Sequence, residues 1–367
     1  MQKGPNVDAW VEEFTTHQSD ASLNVDYKEM HDDAYEVFSR YESEWENIKS
    51  DLTAKINYTF NEHNSFLNES NPLTKAKEFF SQGNISDSIL CYEAALQQNP
   101  TDAESWCSLG LCHAENEQDV KAITAFKRSL ELEPLNRRTL LASAVSLANE
   151  GGEITAIRHL DQWIQQFTNE SVSSTNASNA FVDDMLVVDE SWIRRLEEKF
   201  LNAASMPNLT TERLSELHNA QGIFYNLTHH YDKAIDSLHS AISANPDNAV
   251  LWNRLGASLA NSDRSPEAIG AYRKALELFP SYVRARYNLG VSCMNMSAYR
   301  EAIGHFIGAL KLQKSEQNVQ IWSKLRSCVL RIFSDLSLLD GENLQYMNDA
   351  LNAIETRDLD TVSRICG

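Results

Sequence analysis

The chain has few basic residues for its length. It contains 367 residues, with 32 lysines and arginines against 52 aspartates and glutamates, which gives a formal net charge of −20. Proteins that bind nucleic acids need clustered lysine and arginine to neutralise phosphates. We therefore expect no nucleic-acid partner, and we expect partners that are basic or neutral.

Long apolar runs and paired cysteines are also missing. A transmembrane helix needs about 18 or more consecutive apolar residues, and no such run occurs; the N-terminus also lacks the apolar core of a signal peptide. The six cysteines are scattered without a C-x-x-C pair, which argues against a disulfide framework or a zinc site. These absences predict a chain without a transmembrane segment in a reducing, cytoplasmic compartment.

The motifs of common enzymes are absent as well. The sequence has no G-x-S-x-G, no glycine-rich phosphate loop and no H-E-x-x-H. Cys112 and His113 are adjacent, but neighbouring residues on a helix point about 100° apart, so we interpret Cys112 as a packing residue. We expect no enzymatic activity, no catalytic residue, no metal site and no cofactor.

What the sequence does contain is a repeat of about 34 residues, the length of the tetratricopeptide unit. It is clearest from Val250 to about Leu310. The first unit there carries Trp252, Leu255, Gly256, Ala268, Tyr272 and Ala275, and the next carries Arg286, Leu289, Gly290, Ala302, Phe306 and Ala309 in the same slots. The pattern predicts an all-α fold, a tetratricopeptide-repeat solenoid of about seven repeats in two triplets joined by a degenerate repeat.

The repeat pattern divides the chain into five predicted segments. The first is an acidic, largely disordered leader, in which 15 acidic residues face 5 basic ones. The segments are the leader (1–70), the first repeat triplet (71–168), a loop with a degenerate repeat (169–210), the second repeat triplet (211–314) and a C-terminal helical cap (315–367).

Asparagines form a polar stripe beside the predicted apolar core. Asn253 and Asn261 lie eight residues apart in one predicted helix, and Arg284, Asn288 and Asn295 follow at spacings of four and seven in a later one. Each set lies on one helical face. An amide offers two donors and one acceptor, which match the N–H and C=O groups of a peptide backbone whatever its sequence. Arg284 could add a charge-assisted bond to a terminal carboxylate.

A simpler interpretation of some of these asparagines is that they end helices. Asn149, Asn261 and Asn295 fall at the same late position of their repeats, where asparagine is tolerated at a helix terminus. That interpretation does not account for Asn253 and Asn288, which fall in mid-helix, where asparagine is a poor helix former.

With these residues in place, the chain resembles the tetratricopeptide-repeat peroxins, the peroxisomal import receptors for C-terminal targeting signals of the Ser-Lys-Leu type. The resemblance covers about 71–327. It is carried by the segments Ala114-Glu-Asn-Glu-Gln118, Val145-Ser-Leu-Ala-Asn-Glu150, Tyr231-Asp-Lys-Ala-Ile235, Leu251-Trp-Asn-Arg-Leu-Gly-Ala257 and Arg284-Ala-Arg-Tyr-Asn-Leu-Gly-Val-Ser-Cys-Met-Asn295.

The resemblance implies a role for each matched residue. The amides that would bind the backbone and carboxylate of the signal are those of Asn116, Asn149, Asn253, Asn261, Asn288 and Asn295. Arg284 would contribute positive charge near that carboxylate, and Glu117 would face the basic penultimate residue. Val145, Tyr231 and Ala257 would line the pocket.

The family also carries W-x-x-x-F/Y motifs that dock on peroxisomal membrane proteins. Trp10-Val-Glu-Glu-Phe14 matches this motif once, in the acidic leader, with Trp10 and Phe14 one helical turn apart. The N-terminal cysteine that the family uses for receptor recycling has no counterpart, since the first cysteine is Cys91. The resemblance therefore leads us to expect a short isoform or a fragment.

The function implied is that of a cytosolic cargo receptor. It would bind C-terminal peptides of peroxisomal matrix enzymes, deliver them to the membrane docking proteins, and cycle between the cytoplasm and the peroxisomal membrane and matrix. Two alternatives share the fold: a neuronal relative that regulates an ion channel, and a chaperone adaptor that clamps an acidic C-terminus. The adaptor needs several lysines and arginines on its inner helices, where this chain has mainly asparagine.

Overall fold

The structure is a computed structural model that describes residues 58–168, 190–313, 318–334 and 341–366. The motif Trp10–Phe14 and the rest of the leader up to residue 57 lie outside the described residues. Within the described ranges every regular element is a helix, which confirms the all-α class. The helices are α1 (Pro72–Ser81), α2 (Ile85–Gln98), α3 (Ala103–Glu115), α4 (Asp119–Leu132), α5 (Arg137–Asn149), α6 (Glu153–Thr168), α7 (Glu190–Ala204), α8 (Thr211–Leu227), α9 (Tyr231–Ala244), α10 (Ala249–Asn261), α11 (Ser265–Leu278), α12 (Val283–Asn295), α13 (Tyr299–Gln313), α14 (Val319–Ser334), α15 (Gly341–Glu355) and α16 (Leu359–Cys366).

The turns inside the helical hairpins repeat with a fixed period. A left-handed residue lies in each, and these residues fall into two sets at intervals of 34: Gly83, Glu117 and Gly151, then His229, Asp263 and Ser297. Their φ values run from 58° to 78°. Because one non-glycine residue after another adopts this conformation at the same slot, the positive φ of Glu117 belongs to the repeat geometry. It is not a local strain peculiar to that residue.

A second repeated feature is a side-chain hydrogen bond that fixes the start of the first helix in three repeats. The indole N–H of Trp106 donates to Pro100 O at 2.9 Å, and that of Trp252 donates to Pro246 O at 2.8 Å. Arg286 occupies the same slot and donates from Nη2 to Pro280 O at 2.8 Å. Arginine thus replaces tryptophan there without loss of the bond to the repeat-ending proline.

The two helices of a hairpin approach closely where the first one carries glycine. A Cβ on Gly256 would lie 2.6 Å from Tyr272 Cε1, and one on Gly290 would lie 2.8 Å from Phe306 Cε1. The ring of Tyr272 is buried in the core, and so is that of Phe306. The small slot of the repeat pattern is therefore a packing requirement.

We expect Gly256→Ala to lower the free energy of unfolding by about 1–3 kcal/mol, because the new methyl group would clash with the buried ring of Tyr272. Gly270 is the matched control: it lies in α11, and a Cβ added there would meet nothing within 4 Å. At that position alanine should stabilise by about 0.5–1 kcal/mol, since glycine is the poorer helix former. Urea unfolding of both variants tests the pair. Equal effects of one sign would contradict the packing argument.

Aromatic packing fills the region around α7. Trp163 stands at a late slot of the third repeat where the pattern expects a small residue, and it stacks on Phe167 at a centroid distance of 5.0 Å and on Phe200 at 6.3 Å. Phe200, from α7, lies 5.4 Å from Phe224 of α8. These rings form one core that runs from α6 through α7 to α8.

The C-terminal helices complete the core of the last repeats. Ile321, Leu325 and Val329 of α14 are buried in the same cluster as the helices α9 to α13. Ala350 of α15 and Val362 of α16 join it. The end of the solenoid is thus covered by apolar contacts, as terminal repeats require. None of the helices in the described ranges is both long enough and apolar enough to cross a membrane.

Candidate peptide-binding groove

Two cavities between the helices of the early and late repeats lie next to each other. One, of about 110 Å³, is lined among others by Val145, Asn149, Ala257 and Asn261. The other, of about 80 Å³, is lined among others by Val145 and by residues of α3, α10 and α12. Val145 and Arg254 line both cavities, and we call the two adjacent cavities together the groove.

The predicted amide row is present as pairs between neighbouring first helices of the repeats. Asn288 Nδ2 donates to Asn253 Oδ1 at 3.1 Å, which joins α12 to α10. Asn261 Nδ2 donates to Asn226 Oδ1 at 3.2 Å, which joins α10 to α8, and Asn226 Nδ2 donates to Ser258 Oγ at 2.7 Å. Each such bond uses part of an amide's two donors and one acceptor oxygen, so a ligand backbone can find further partners along this row.

Three of the predicted asparagines are also the last residues of their helices. Asn149 ends α5, Asn261 ends α10 and Asn295 ends α12, so the helix-end interpretation agrees with their positions. Asn149 and Asn261 nevertheless line the groove, and Asn295 is exposed at the end of its helix. Asn253, in contrast, is mid-helix and buried, and it carries the amide bond from Asn288.

Arg284 makes a contact set that the sequence could not show. It is buried, and from α12 it reaches the hairpin turn between α3 and α4. Its Nε donates to Ala114 O at 2.6 Å, its Nη2 donates to Asp119 Oδ2 at 2.8 Å, and its Nη1 lies 3.1 Å from Glu117 Oε2. We call this set the clasp, because it ties the second repeat triplet to the first.

Three further bonds support the clasp. Gln313 Nε2 donates to Asn116 O at 2.5 Å, and Asn318 Nδ2 donates to Glu117 O at 3.1 Å. Asn149 Nδ2 also donates to Asp119 Oδ2, at 3.0 Å. Predicted site residues from two helices, α5 and α12, and from the turn between α3 and α4 therefore meet at the clasp.

The clasp region carries more acid than base. Burial raises the pKa of Glu117 to about 7, against the opposing effect of Arg284 and with a further rise from Asp119. Burial likewise raises the pKa of Glu115, which lines the groove, to about 7. Burial disfavours the charge of Arg284, but the carboxylates of Glu117 and Asp119 outweigh it and raise the arginine pKa. A basic ligand side chain would be well placed here.

Arg254 is a groove residue that the sequence reasoning missed. It lines both cavities and donates from Nη1 to the neutral Asn219 Oδ1 at 2.5 Å. Burial lowers the pKa of Arg254, and the nearby carboxylate of Glu115, which lines the same cavity, opposes this effect. The signal was available, since Arg254, Ala257 and Asn261 follow the i, i+3, i+7 spacing of one helical face.

The remaining predicted residues lie at the edges of this arrangement. Tyr231 begins α9, its hydroxyl lies 2.9 Å from His229 Nδ1, and it lines neither cavity of the groove. Asn116 is buried in the turn directly after α3, where its Nδ2 donates to Gln118 Oε1 at 3.3 Å. Asn226, beside the predicted Asn261, is a second groove residue that the sequence reasoning missed.

Comparison with known proteins identifies the class of this protein and then the receptors to which it is similar. Family models described as "TPR repeat" match residues 76–117, and models described as "Tetratricopeptide repeat" match 103–134, 228–283 and 258–318. The chain is a tetratricopeptide-repeat protein.

Several relatives carry the name peroxisomal targeting signal receptor, and three of them illustrate the similarity. The one from Candida albicans is 37% identical over 63% of this chain and 39% of its own length. The one from Yarrowia lipolytica is 41% identical over 71% and 43%, and the one from Saccharomyces cerevisiae is 33% identical over 73% and 44%. The chain is similar to these non-enzymatic receptors over 63–73% of its own length, as its sequence predicted. This chain spans less than half the length of these relatives.

Proposed function

We propose that this chain is a peroxisomal cargo receptor that binds C-terminal peptides of the Ser-Lys-Leu type in the groove. The observation that carries the proposal is the row of amides from α8, α10 and α12 beside Arg254, in the groove between the two repeat triplets. Amides pair with a peptide backbone of any sequence. A cation bound to a neutral partner is suited to a terminal carboxylate.

The groove chemistry suggests how such a peptide would lie. Its carboxylate would pair with Arg254 and with amides of the row, which Asn253 and Asn288 provide. Its extended backbone would follow the row, and Asn116, Asn149, Asn261 and Asn295 would complete the backbone contacts. Val145 and Ala257 would contact the apolar terminal side chain, while Tyr231 would close the pocket from its edge.

The basic penultimate side chain would face the acidic centre of the site. Glu115 and Asp119 line the groove, and Glu117 belongs with Asp119 to the clasp. Glu117 is already ion-paired to Arg284, so we propose that it attracts the ligand's basic side chain through the net negative charge of the cluster. Arg284 would act on the ligand through the same cluster.

The delivery steps are part of the proposal. As the family does, the chain would cycle between the cytoplasm and the peroxisomal membrane and matrix, and it would need no cofactor. Trp10 and Phe14 would dock on peroxisomal membrane proteins.

A titration with labelled peptides tests the binding step. We expect a peptide ending in Ser-Lys-Leu to bind and its C-terminally amidated form to bind about thirtyfold more weakly, because a hydrogen bond to a charged group contributes about 2 kcal/mol. Fluorescence anisotropy of both peptides measures this ratio. Equal binding of the two forms would contradict the carboxylate interpretation, and preference for a peptide with an acidic C-terminus would favour the chaperone-adaptor alternative.

A further inference from the structure

The segment before the first repeat packs along α3. We call residues 58–66 the strap. The ring of Tyr58 lies between two residues of α3, with centroid distances of 5.4 Å to Trp106 and 5.7 Å to His113. Further along the strap, Asn61 N donates to Glu93 Oε2 at 3.0 Å and Asn64 Nδ2 donates to Leu90 O at 2.7 Å. The strap is thus held by both helices, α2 and α3.

A chain of hydrogen bonds runs from the strap to the clasp. The hydroxyl of Tyr58 lies 2.6 Å from Glu93 Oε1 and 2.7 Å from His113 Nε2. His113 Nδ1 lies 2.8 Å from Gln118 Oε1, which also accepts from Asn116 Nδ2. Asn116 is the predicted ligand-binding amide whose backbone oxygen accepts the bond from Gln313.

The strap itself does not reach the groove. Trp106 and His113 are seven residues apart and share one face of α3. Leu111, Ala114 and Glu115 line the groove from another face of the same helix. Any effect of Tyr58 on a bound peptide must therefore pass through the side chains of the turn between α3 and α4.

Burial keeps the titratable groups in this series of hydrogen bonds, His113 and Tyr58, in one protonation state. It lowers the pKa of His113 to about 3, so the imidazole is neutral at physiological pH, and it raises the pKa of Tyr58 well above its usual range. A neutral imidazole holds one proton, and because Gln118 Oε1 can only accept, Nδ1 carries that proton and Nε2 accepts from the Tyr58 hydroxyl. The orientation of Gln118 therefore depends on the partner that Tyr58 offers.

We infer that Tyr58 is a positioning residue for peptide binding, which acts through His113 and Gln118 to orient the amide of Asn116. Asn116 Nδ2 donates to Gln118. Asn116 Oδ1 is buried and has no partner among the described residues, so it would accept a hydrogen bond from an N–H of the peptide. The inference rests on the proposed function, because it gives Asn116 its part in the groove.

Tyr58→Phe in the full chain tests this role, since it removes the hydroxyl and keeps the ring beside Trp106. We expect its affinity for a Ser-Lys-Leu peptide to fall about threefold to tenfold, the effect of one buried hydrogen bond. Tyr225→Phe is the matched control, because it removes a tyrosine hydroxyl that donates to a carboxylate, Glu197 Oε1, at 3.1 Å outside this chain of bonds. Its affinity should not change, and an equal fall in both variants would overturn the inference.

A double-mutant cycle separates positioning from general loosening of the fold. If Tyr58 acts through Asn116, then Tyr58→Phe should have no further effect on affinity in an Asn116→Ala background. Additive losses would overturn the inference, as would an unchanged affinity in Tyr58→Phe alone.

Hydrogen exchange keeps the inference testable if the proposed function is wrong. Should the wild-type chain bind no Ser-Lys-Leu peptide, the proposed function fails, and the positioning of the turn is measured directly. Tyr58→Phe should then still speed amide exchange at Asn116 and Gln118 and leave the matching turn at His229 unchanged. Unchanged exchange at Asn116 and Gln118 would overturn the inference by itself.

Discussion

Replacing Arg284 by alanine is expected to lower the free energy of unfolding of the repeat region by about 3–5 kcal/mol, the usual effect of breaking a buried ion pair from one side. The guanidinium binds three groups at once: Ala114 O, Asp119 and Glu117. Without it, two buried carboxylates would face each other with no cation between them. The midpoint of urea unfolding, followed by circular dichroism, measures the loss.

Arg286→Ala is the matched control for that experiment. Arg286 lies on the same helix, α12, and its guanidinium donates to a neutral group, the backbone oxygen of Pro280. Its loss should cost about 1 kcal/mol. If Arg284→Ala cost no more than Arg286→Ala, the clasp would not stabilise the fold.

Neutralising the acids should recover part of the loss caused by Arg284→Ala. With Glu117→Gln and Asp119→Asn added, the carboxylates no longer repel each other, and the triple variant should be more stable than Arg284→Ala alone. This recovery separates the effect of charge from the effect of the cavity that the arginine side chain leaves. A triple variant less stable than Arg284→Ala would contradict the electrostatic explanation.

The clasp also marks where prediction from sequence ended. The helices, the glycine slots and the row of asparagines follow from short spacings, because a repeat contacts mainly its neighbours and its pattern is local. Arg284 and Asp119 are 165 residues apart, and they meet only because small rotations accumulate over several repeats. No local pattern in the sequence shows the sum of these rotations. The sequence therefore predicted the helical face of Arg284 but not the residues that it contacts.

Other residues show the same limit. Gln118 and His113 are close in sequence, but the Tyr58 hydroxyl lies 55 residues before His113. Trp163 breaks the repeat pattern, and only the packed structure shows that it stacks on Phe200 across to α7. Helical periodicity led to Asn149, Asn253 and Asn261, which line the groove, but Arg254 was given no role although it follows the same spacing.

Replacing Arg254 by alanine is expected to weaken binding of a Ser-Lys-Leu peptide about thirtyfold to hundredfold. Arg254 lines both parts of the groove and is bonded to the neutral Asn219, so it can give its charge to a ligand carboxylate at little cost. A charge-assisted hydrogen bond to a carboxylate is worth about 1.5–3 kcal/mol. Anisotropy titration measures the change, and unfolding in urea should show at most about 1 kcal/mol of destabilisation.

Three comparisons test whether the terminal carboxylate of the peptide is the partner of Arg254. Arg254→Lys keeps the positive charge and should retain most of the affinity for the peptide. Asn253→Lys places a long side chain at a buried amide of the row, so it should weaken peptide binding and leave the helical content intact. The decisive comparison uses the amidated peptide. If Arg254 binds the carboxylate, then amidation should cost little in Arg254→Ala, because the interaction is already lost. If amidation still costs the full thirtyfold there, then the carboxylate binds elsewhere, and Arg284 with its two acids becomes the residue to test next.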